Sequence, residues 1–259
     1  MKANWYKGSE IVVAHDLEDL CERAAVRVAQ YITNRVQASG RAAIALSGGT
    51  TPRRLYERLA TGKYGQAIPW GHVYLFWGDE RCVPPDHPDS NYKMAYDTLI
   101  SKIPIPKENV YRMPAERSDH VEAALEYEKR MRMFFGLSGD GWPRFDFVLL
   151  GIGADGHTAS LFPGSSALAE KKQWVAATYI EKLKVYRLTL TPEVFNCSAQ
   201  VIFMAAGKEK APVMKDLFMV ERRSNRYPFQ EIRPHEGELI FFLDQAACSL
   251  SPPFCKVSG

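Results

Sequence analysis

Cysteine is scarce in this chain, and long apolar runs are missing. The five cysteines among 259 residues are scattered and form no Cys-x-x-Cys pair, which argues against a disulfide framework or a four-thiolate zinc site. The longest apolar runs, near 147–152 and 201–206, fall far short of the roughly 20 residues that span a bilayer. Residues 1–10 lack the apolar stretch of a secretory signal. We therefore expect free thiols, a cytoplasmic location and no membrane partner.

The chain also has little excess of charge of either sign. Its net charge is +3, and no helix-turn-helix pattern is apparent, so the sequence does not indicate a nucleic-acid partner. Apolar residues make up 46% and charged residues 24%, which is typical of a globular protein. Because no repeat or low-complexity linker divides the chain, we expect a single α/β domain over residues 1–259.

Several catalytic signatures are missing as well. No Gly-Lys-Thr/Ser follows the first glycine-rich loop, so a Walker nucleotide site is not indicated, and there is no Gly-x-Ser-x-Gly nucleophile elbow. Five of the histidines have no ligand spacing with cysteines or carboxylates, so the sequence implies no metal. These five are His15, His72, His87, His120 and His235.

Short β-rich apolar runs alternate with longer amphipathic stretches. This alternation predicts an α/β fold, with a mostly parallel sheet covered by helices on both faces. The predicted strands are 10–14, 42–46, 73–77, 145–150, 174–180, 185–190, 200–206 and 239–243. The predicted helices are 16–40, 52–60, 91–100, 119–135, 208–220 and 244–247. The arginine-rich stretch 221–234 has few apolar anchors, and we expect a solvated loop there rather than a binding patch.

The first candidate site segment is Ser47-Gly48-Gly49-Thr50-Thr51-Pro52, directly after a predicted strand. Two glycines let the backbone approach a ligand closely, and the following helix start offers unpaired N–H groups. Gly48, Gly49 and Thr50 are therefore candidates for holding a phosphate, with an ordinary strand–helix turn as the equal alternative.

The second segment is Gly78-Asp79-Glu80-Arg81, which follows another strand. Ligands of open α/β sheets bind at the carboxyl ends of strands, which favours a cleft location for Asp79 and Arg81. The alternative is that these two residues form a surface ion cluster. Arg81 offers planar donors that suit phosphate or carboxylate oxygens. Asn91 either caps its own helix, which is the simpler interpretation, or reaches into the same cleft.

The third segment, 151–164, is the most informative. Its glycines, including Gly153 and Gly156, indicate a bent backbone with exposed N–H groups, and Asp155 and His157 lie two residues apart within it. A histidine accepts a proton near neutral pH, and a nearby carboxylate orients its ring. The full dinucleotide fingerprint is absent. We therefore interpret His157 as functional rather than as a core histidine.

Two further cations stand near strand ends. Arg187 lies inside the predicted strand 185–190, and Lys208 follows Gly207 after another strand. Arg187 and Lys208 are each candidates for completing an anion site. The alternative is that they are ordinary surface cations.

These segments together resemble the glucosamine-6-phosphate isomerase/6-phosphogluconolactonase family. The resemblance rests on Ser-Gly-Gly-Thr-Thr-Pro, on Trp-Gly-Asp-Glu-Arg with Ser-Asn-Tyr downstream, and on Gly-x-Gly-x-Asp-Gly-His-Thr-Ala-Ser-Leu-Phe-Pro-Gly. It spans about residues 42–247 in the expected order. The deaminase branch carries a Glu where this chain has Phe162 and a Tyr where it has Arg81, so the lactonase branch is favoured. The basic stretch 222–234 departs from the usual lactonase pattern.

The resemblance implies a Rossmann-like α/β fold, and it implies hydrolysis of 6-phospho-D-glucono-1,5-lactone without a nucleotide cofactor or a metal. It implies that His157 is the general base, that Asp155 orients it or binds a sugar hydroxyl, and that the phosphate is anchored on Gly48, Gly49 and Thr50 with Arg187 and Lys208. The backbone around 153–156 and Arg81 are alternative donors to the oxyanion. The alternative functions are a deaminase-like isomerase and a non-catalytic sugar-phosphate-binding module.

Overall fold

The computed structural model describes residues 8–219 and 227–251. Its larger sheet has six parallel strands in the spatial order β1-β9-β8-β5-β2-β3. These strands are β1 (Glu10–Ala14), β2 (Ala42–Leu46), β3 (Val73–Trp77), β5 (Phe147–Gly151), β8 (Gln200–Ala205) and β9 (Glu238–Asp244). Every residue of β2 and of β8 is buried, as expected of continuous apolar strands in a covered parallel sheet.

The longer helices surround this sheet. They are α1 (Leu17–Ser39), α2 (Thr50–Leu59), α4 (Asn91–Thr98), α5 (His120–Phe135) and α7 (Ala211–Met219), with short α3 (Gly62–Gly65) and α6 (Pro192–Asn196) between them. The sequence correctly predicted both ends of α1. The Asp16 side chain accepts the N–H of Asp19, and Gly40 ends the helix in the left-handed region. The Rossmann-like α/β class is thus confirmed.

A second sheet was not predicted. Strands β4 (Asp79–Arg81), β7 (Val185–Leu190) and β6 (Val175–Ile180) form a separate antiparallel sheet in the order β4-β7-β6. The strands predicted at 174–180 and 185–190 are present, but they belong to this second sheet and not to the parallel one. The polar run of β4 gave no strand signal, because its strand character comes from long-range pairing with β7.

Strand order fixes where a ligand binds. From β2 the chain moves outward to β3, but β5 lies on the opposite side of β2 and continues toward β8 and β9. The loops that follow β2 and β5 therefore diverge at their carboxyl ends. Such a switch point opens a crevice in α/β sheets, and the glycine-rich segments 47–52 and 151–157 both begin there.

Two smaller expectations are corrected. The stretch 221–234 was predicted to be solvated, but Phe229 and Ile232 in its described part are fully buried in the core. Residues 220–226 lie outside the described part. The predicted helix 244–247 is instead a turn, in which the Asp244 side chain accepts the N–H of Ala247. Among the described helices, none has the length and apolar character to cross a membrane.

Candidate active site

A cleft of about 200 Å³ lies at the switch point. The loop after β2 and the start of α2 line one side of it, and the loop after β5 lines the other. Strand β4, α4 and the segment after β8 complete the wall. The lining residues include Gly48, Gly49, Thr50, Asp79, Arg81, Asn91, Gly153, His157, Ala159 and Lys210. Most of the residues predicted for the site from widely separated segments thus share one cleft.

His157 and Asp155 form a hydrogen-bonded pair at this cleft. The Nδ1 atom of His157 lies 2.5 Å from Asp155 Oδ1, and Lys182 Nζ lies 3.3 Å from the other carboxylate oxygen. Because an ionised carboxylate only accepts hydrogen bonds, Nδ1 carries the proton in the neutral ring. The lone pair is then on Nε2, which is the nitrogen available to a ligand.

Neighbouring side chains favour the ionised form of the Asp155 carboxyl. Burial works to raise the pKa of this carboxyl, but the hydrogen bond and charge of His157, with help from Lys182, lower it to about 2. Asp155 is therefore ionised at neutral pH, and an ionised partner favours the imidazolium that forms when the ring takes up a proton.

Packing fixes the plane of the imidazole. Phe162 stacks on the His157 ring with a centroid separation of 4.2 Å and an interplanar angle of 15°. A Cβ on Gly153 would lie 2.1 Å from Nδ1, so only glycine lets the backbone pass this close to the ring. The Gly153 N–H also donates to the carbonyl of His157 at 2.8 Å. The ring has little room to rotate away from Asp155.

The backbone beyond β5 is unusual in two places. Gly156 has φ of +77°, and its N–H donates to the carbonyl of Gly153. Ala159, which lines the cleft, has φ of +48°, a conformation that non-glycine residues rarely adopt. Such backbone strain concentrates at functional sites when surrounding contacts hold it. Here the neighbouring Thr158 holds the backbone of this loop in place, because its hydroxyl donates to the carbonyl of Gly151 at 2.8 Å.

The loop after β2 presents a helix N-terminus to the cleft. Gly49 precedes α2 with φ of +104°, and no side chain caps the helix. The first N–H groups of α2 therefore keep their hydrogen-bonding capacity for a ligand, and the helix dipole favours an anion there. The buried Tyr56 fastens this loop, because its hydroxyl donates to the Ser47 carbonyl and accepts the Ser47 N–H.

The polar residues after β3 connect the two sides of the cleft. Buried Asp79 accepts hydrogen bonds from Ser160 at 2.7 Å and from Asn91 Nδ2 at 3.3 Å. The cap of α4 is Ser90, so the cap interpretation of Asn91 is wrong. Asn91 instead lies against Gly48, where a Cβ would come 1.9 Å from its amide oxygen.

Glu80 connects β4 to the start of α4. Its carboxylate accepts the backbone N–H groups of Arg81, Asn91 and Tyr92 and the hydroxyl of Ser90. Burial raises its pKa, while these backbone N–H groups oppose the rise. Glu80 thereby fixes the start of α4 against β4.

Two arginines lie side by side on the small sheet. Arg81 of β4 pairs with Arg187 of β7, and directly opposed residues point to the same face of a sheet. Burial and the charge of Arg81 lower the pKa of Arg187. Within residues 8–219 and 227–251, neither guanidinium forms an ion pair with a carboxylate. Of these two arginines, Arg81 lines the cleft and Arg187 does not.

Two lysines, Lys208 and Lys210, follow β8. Lys208 begins a short 3-10 turn (Lys208–Lys210) and is exposed, whereas half-buried Lys210 lines the cleft. The part of the chain that the structure describes holds no carboxylate ion-paired with Lys210. The role of Lys208 stays a prediction, and Lys210 joins it as a candidate.

Sequence reasoning missed several residues that hold the site together. Tyr56, Ser160, Lys182 and Lys210 have side chains of common types at unremarkable spacing, so no local signal marks them. In the structure, Lys208 and Lys210 lie two residues apart in a 3-10 turn, which has three residues per turn, so the two side chains point to different faces.

Comparison with known proteins finds one family model and several relatives and solved structures that are similar to this chain. A family model described as glucosamine-6-phosphate isomerases/6-phosphogluconolactonase matches residues 15–241. A 6-phosphogluconolactonase from Synechocystis sp. is 42% identical over 228 residues, covering 88% of this chain and 92% of the relative. The solved 6-phosphogluconolactonase of Trypanosoma brucei has a TM-score of 0.83 at 30% identity, over 93% of this chain and 98% of that one. A monomeric glucosamine-6-phosphate deaminase shares the fold with a TM-score of 0.78 at 20% identity, covering 93% of this chain and 99% of that chain.

Proposed function

Because the chain belongs to the glucosamine-6-phosphate isomerase/6-phosphogluconolactonase family, we propose that it hydrolyses 6-phospho-D-glucono-1,5-lactone to 6-phosphogluconate. This is a step of the oxidative pentose phosphate pathway. The observation that carries the proposal is the placement of His157 and an uncapped helix N-terminus in one cleft. The first is suited to a proton transfer and the second to a phosphate.

His157 acts as the general base. Its Nε2 takes a proton from a water molecule, and the water oxygen attacks the lactone carbonyl. The resulting imidazolium is stabilised by ionised Asp155. When the tetrahedral intermediate collapses, the bond between the carbonyl carbon and the ring oxygen breaks, and His157 returns the proton to that oxygen. Such proton transfer contributes about 10²–10⁴-fold to a rate.

Arg81 is the better of the two oxyanion donors left open by the sequence. The N–H groups of Gly153 and Gly156 are already engaged within their own loop. Arg81 uses one nitrogen on the carbonyl of Asp89 at 2.6 Å and has other N–H groups to spare. A donor held in place before the charge develops lowers the barrier without reorganisation.

The phosphate binds at the start of α2, against Gly48, Gly49 and Thr50. Lys210 adds a cation from the cleft wall, and Arg187, which is paired with Arg81 across the small sheet, adds positive charge beside it. Asp79 and Asn91 hold the sugar between the two ends of the cleft. Binding energy from the remote phosphate then positions the carbonyl at His157.

A lactonase assay with two substrates tests the proposal. Hydrolysis of 6-phosphogluconolactone is followed against its spontaneous rate, with unphosphorylated gluconolactone in parallel. We expect a strong preference for the phosphorylated lactone. Equal rates with both substrates, or no acceleration of either, would overturn the proposal.

The deaminase alternative makes a separate prediction, which is ammonia release from glucosamine 6-phosphate. The deaminase branch carries a Glu where this chain has Phe162, and the Phe162 ring stacks on His157 there. A binding module predicts stabilisation by sugar phosphates without turnover. We also propose a cytoplasmic location and a single domain over residues 1–259, with the sugar-phosphate lactone as the partner and no nucleic acid.

A further inference from the structure

A second cluster of chemically capable side chains lies outside the cleft. Glu193 and Cys197 stand one helical turn apart at α6, and His235 belongs to the segment before β9. One ligand atom from each residue lies within 4.8 Å of the other two. His235 Nε2 is 2.7 Å from Glu193 Oε1, and Cys197 Sγ is 3.8 Å from the same oxygen. We propose that these three residues form a binding site for a borderline-soft divalent cation, with Zn²⁺ as its best ligand.

The donor set determines the choice of metal. Thiolate, imidazole and carboxylate are the three ligand types that zinc takes in proteins, at about 2.0–2.3 Å. Hard cations such as Mg²⁺ and Ca²⁺ prefer oxygen ligands only. Three protein ligands leave the fourth tetrahedral position for water. On binding, the Cys197 S–H bond breaks, the sulfur coordinates the metal, and the proton passes to the buffer.

The backbone holds the three ligands together without a metal. The His235 N–H donates to the Asn196 carbonyl at 2.8 Å, and the Asn196 side-chain amide donates to the Glu231 carbonyl. The segment before β9 is thereby fixed against the end of α6. In the present hydrogen-bonded pair, N and O are closer than two ligands of one zinc ion, so metal binding requires the Glu193 and His235 side chains to move apart.

Exposure gives an ion access to the cluster. The His235 side chain is 54% exposed and that of Glu193 is 26% exposed. Arg144 donates to the carbonyls of Cys197 and Glu236 and so lies beside the cluster. Thiolate and carboxylate together balance the charge of one divalent ion.

The cluster is remote from the proposed reaction. Cys197 precedes β8 and His235 precedes β9, so both lie at the amino ends of the parallel strands. The cleft lies at the carboxyl ends, which for six-residue strands is about 20 Å away. A metal here joins α6 to the approach of β9, and its expected effect is on stability rather than on turnover. Sequence spacing did not reveal the cluster because Glu193 and His235 are 42 residues apart.

Cobalt(II) and zinc(II) titrations of the untagged protein test the proposal. We expect one equivalent of Co²⁺ to produce a thiolate-to-cobalt charge-transfer band, Zn²⁺ to displace it, and Zn²⁺ to raise Tm. In Cys197→Ser the band should disappear, and the Zn²⁺ affinity should fall by about tenfold or more. In metalloproteins generally, changing a residue that only hydrogen-bonds to a metal ligand already costs about 10–100-fold in affinity. His235→Ala, at an exposed position, should weaken Zn²⁺ binding as well.

The matched control is Cys82→Ser, which removes a different thiol and should keep the band and the affinity. A band that persists in Cys197→Ser, a loss of the band in Cys82→Ser alone, or no saturable binding to the wild-type protein would overturn the proposal. Because the readouts are absorbance, affinity and Tm, the result is independent of lactone hydrolysis.

Discussion

His157 is held by contacts on several sides. Asp155 fixes Nδ1, Phe162 covers one face of the ring, and Gly153 allows the backbone to pass beside it. Each contact limits a different motion of the imidazole. A base whose Nε2 direction is set before the substrate arrives spends less binding energy on orientation.

The pKa of Asp155 tests this arrangement directly. It lies at about 2, below the ordinary value of 3.8, because His157 and Lys182 favour the carboxylate against the opposing effect of burial. Removing the imidazole in His157→Ala removes the largest lowering contribution, so the pKa of Asp155 should rise. Carboxyl ¹³C chemical shifts followed against pH measure the change. A midpoint that stays near 2 in the variant would show that His157 does not stabilise the carboxylate.

Gly153→Ala should damage catalysis more than folding. Its Cβ would lie 2.1 Å from His157 Nδ1 and would push the ring off Asp155. We expect kcat to fall about 10²-fold, which is typical of a misplacement of about 1 Å. Gly62→Ala serves as the control, because no atom lies within 4 Å of the added methyl group. Equal kcat values for the two variants would contradict the account.

At the scale of elements, the site is assembled by loops anchored on buried strand ends. The β2–α2 loop depends on Tyr56, the start of α4 depends on Glu80, and the loop after β5 is joined to β4 by the bond between Ser160 and Asp79. These anchors are buried, so each hydrogen bond that is broken leaves an unsatisfied group.

Tyr56→Phe should therefore destabilise the protein. The change removes the hydroxyl that serves both the N–H and the carbonyl of Ser47, and both groups are buried. We expect a loss of about 1–3 kcal/mol in the free energy of unfolding, measured by denaturant titration. Tyr96→Phe, at a side chain that is 46% exposed, should change it by less than about 0.5 kcal/mol. Similar losses in both variants would argue against this anchor.

The turn after β8 allows the two lysine candidates to be separated. Lys210→Ala should raise KM about tenfold, the equivalent of one lost charged hydrogen bond, while kcat changes little. Lys208→Ala should leave KM within about twofold, since its exposed side chain does not line the cleft. A larger rise in KM for Lys208→Ala than for Lys210→Ala would indicate that Lys208, and not Lys210, contacts the phosphate.

At the scale of the whole molecule, the sequence predicted the parts that depend on local pattern. Continuous apolar runs located β2 and β3 to the residue, and the strand ends located the loops of the cleft. Strand β4 was not predicted because its residues are polar and its partner, β7, is about a hundred residues away in the sequence. The burial of Phe229, the contact of Asn91 with Gly48 and the meeting of Cys197 with His235 depend likewise on tertiary packing, which spacing alone does not encode.

The most direct test is the rate of 6-phosphogluconolactone hydrolysis by His157→Ala, with Tm and far-ultraviolet circular dichroism as folding controls. The account predicts a folded protein whose kcat is about 10²–10⁴-fold below that of the wild type, with KM little changed, because only the proton transfer is lost. A folded variant that retains near-normal kcat would place the base elsewhere and contradict the account.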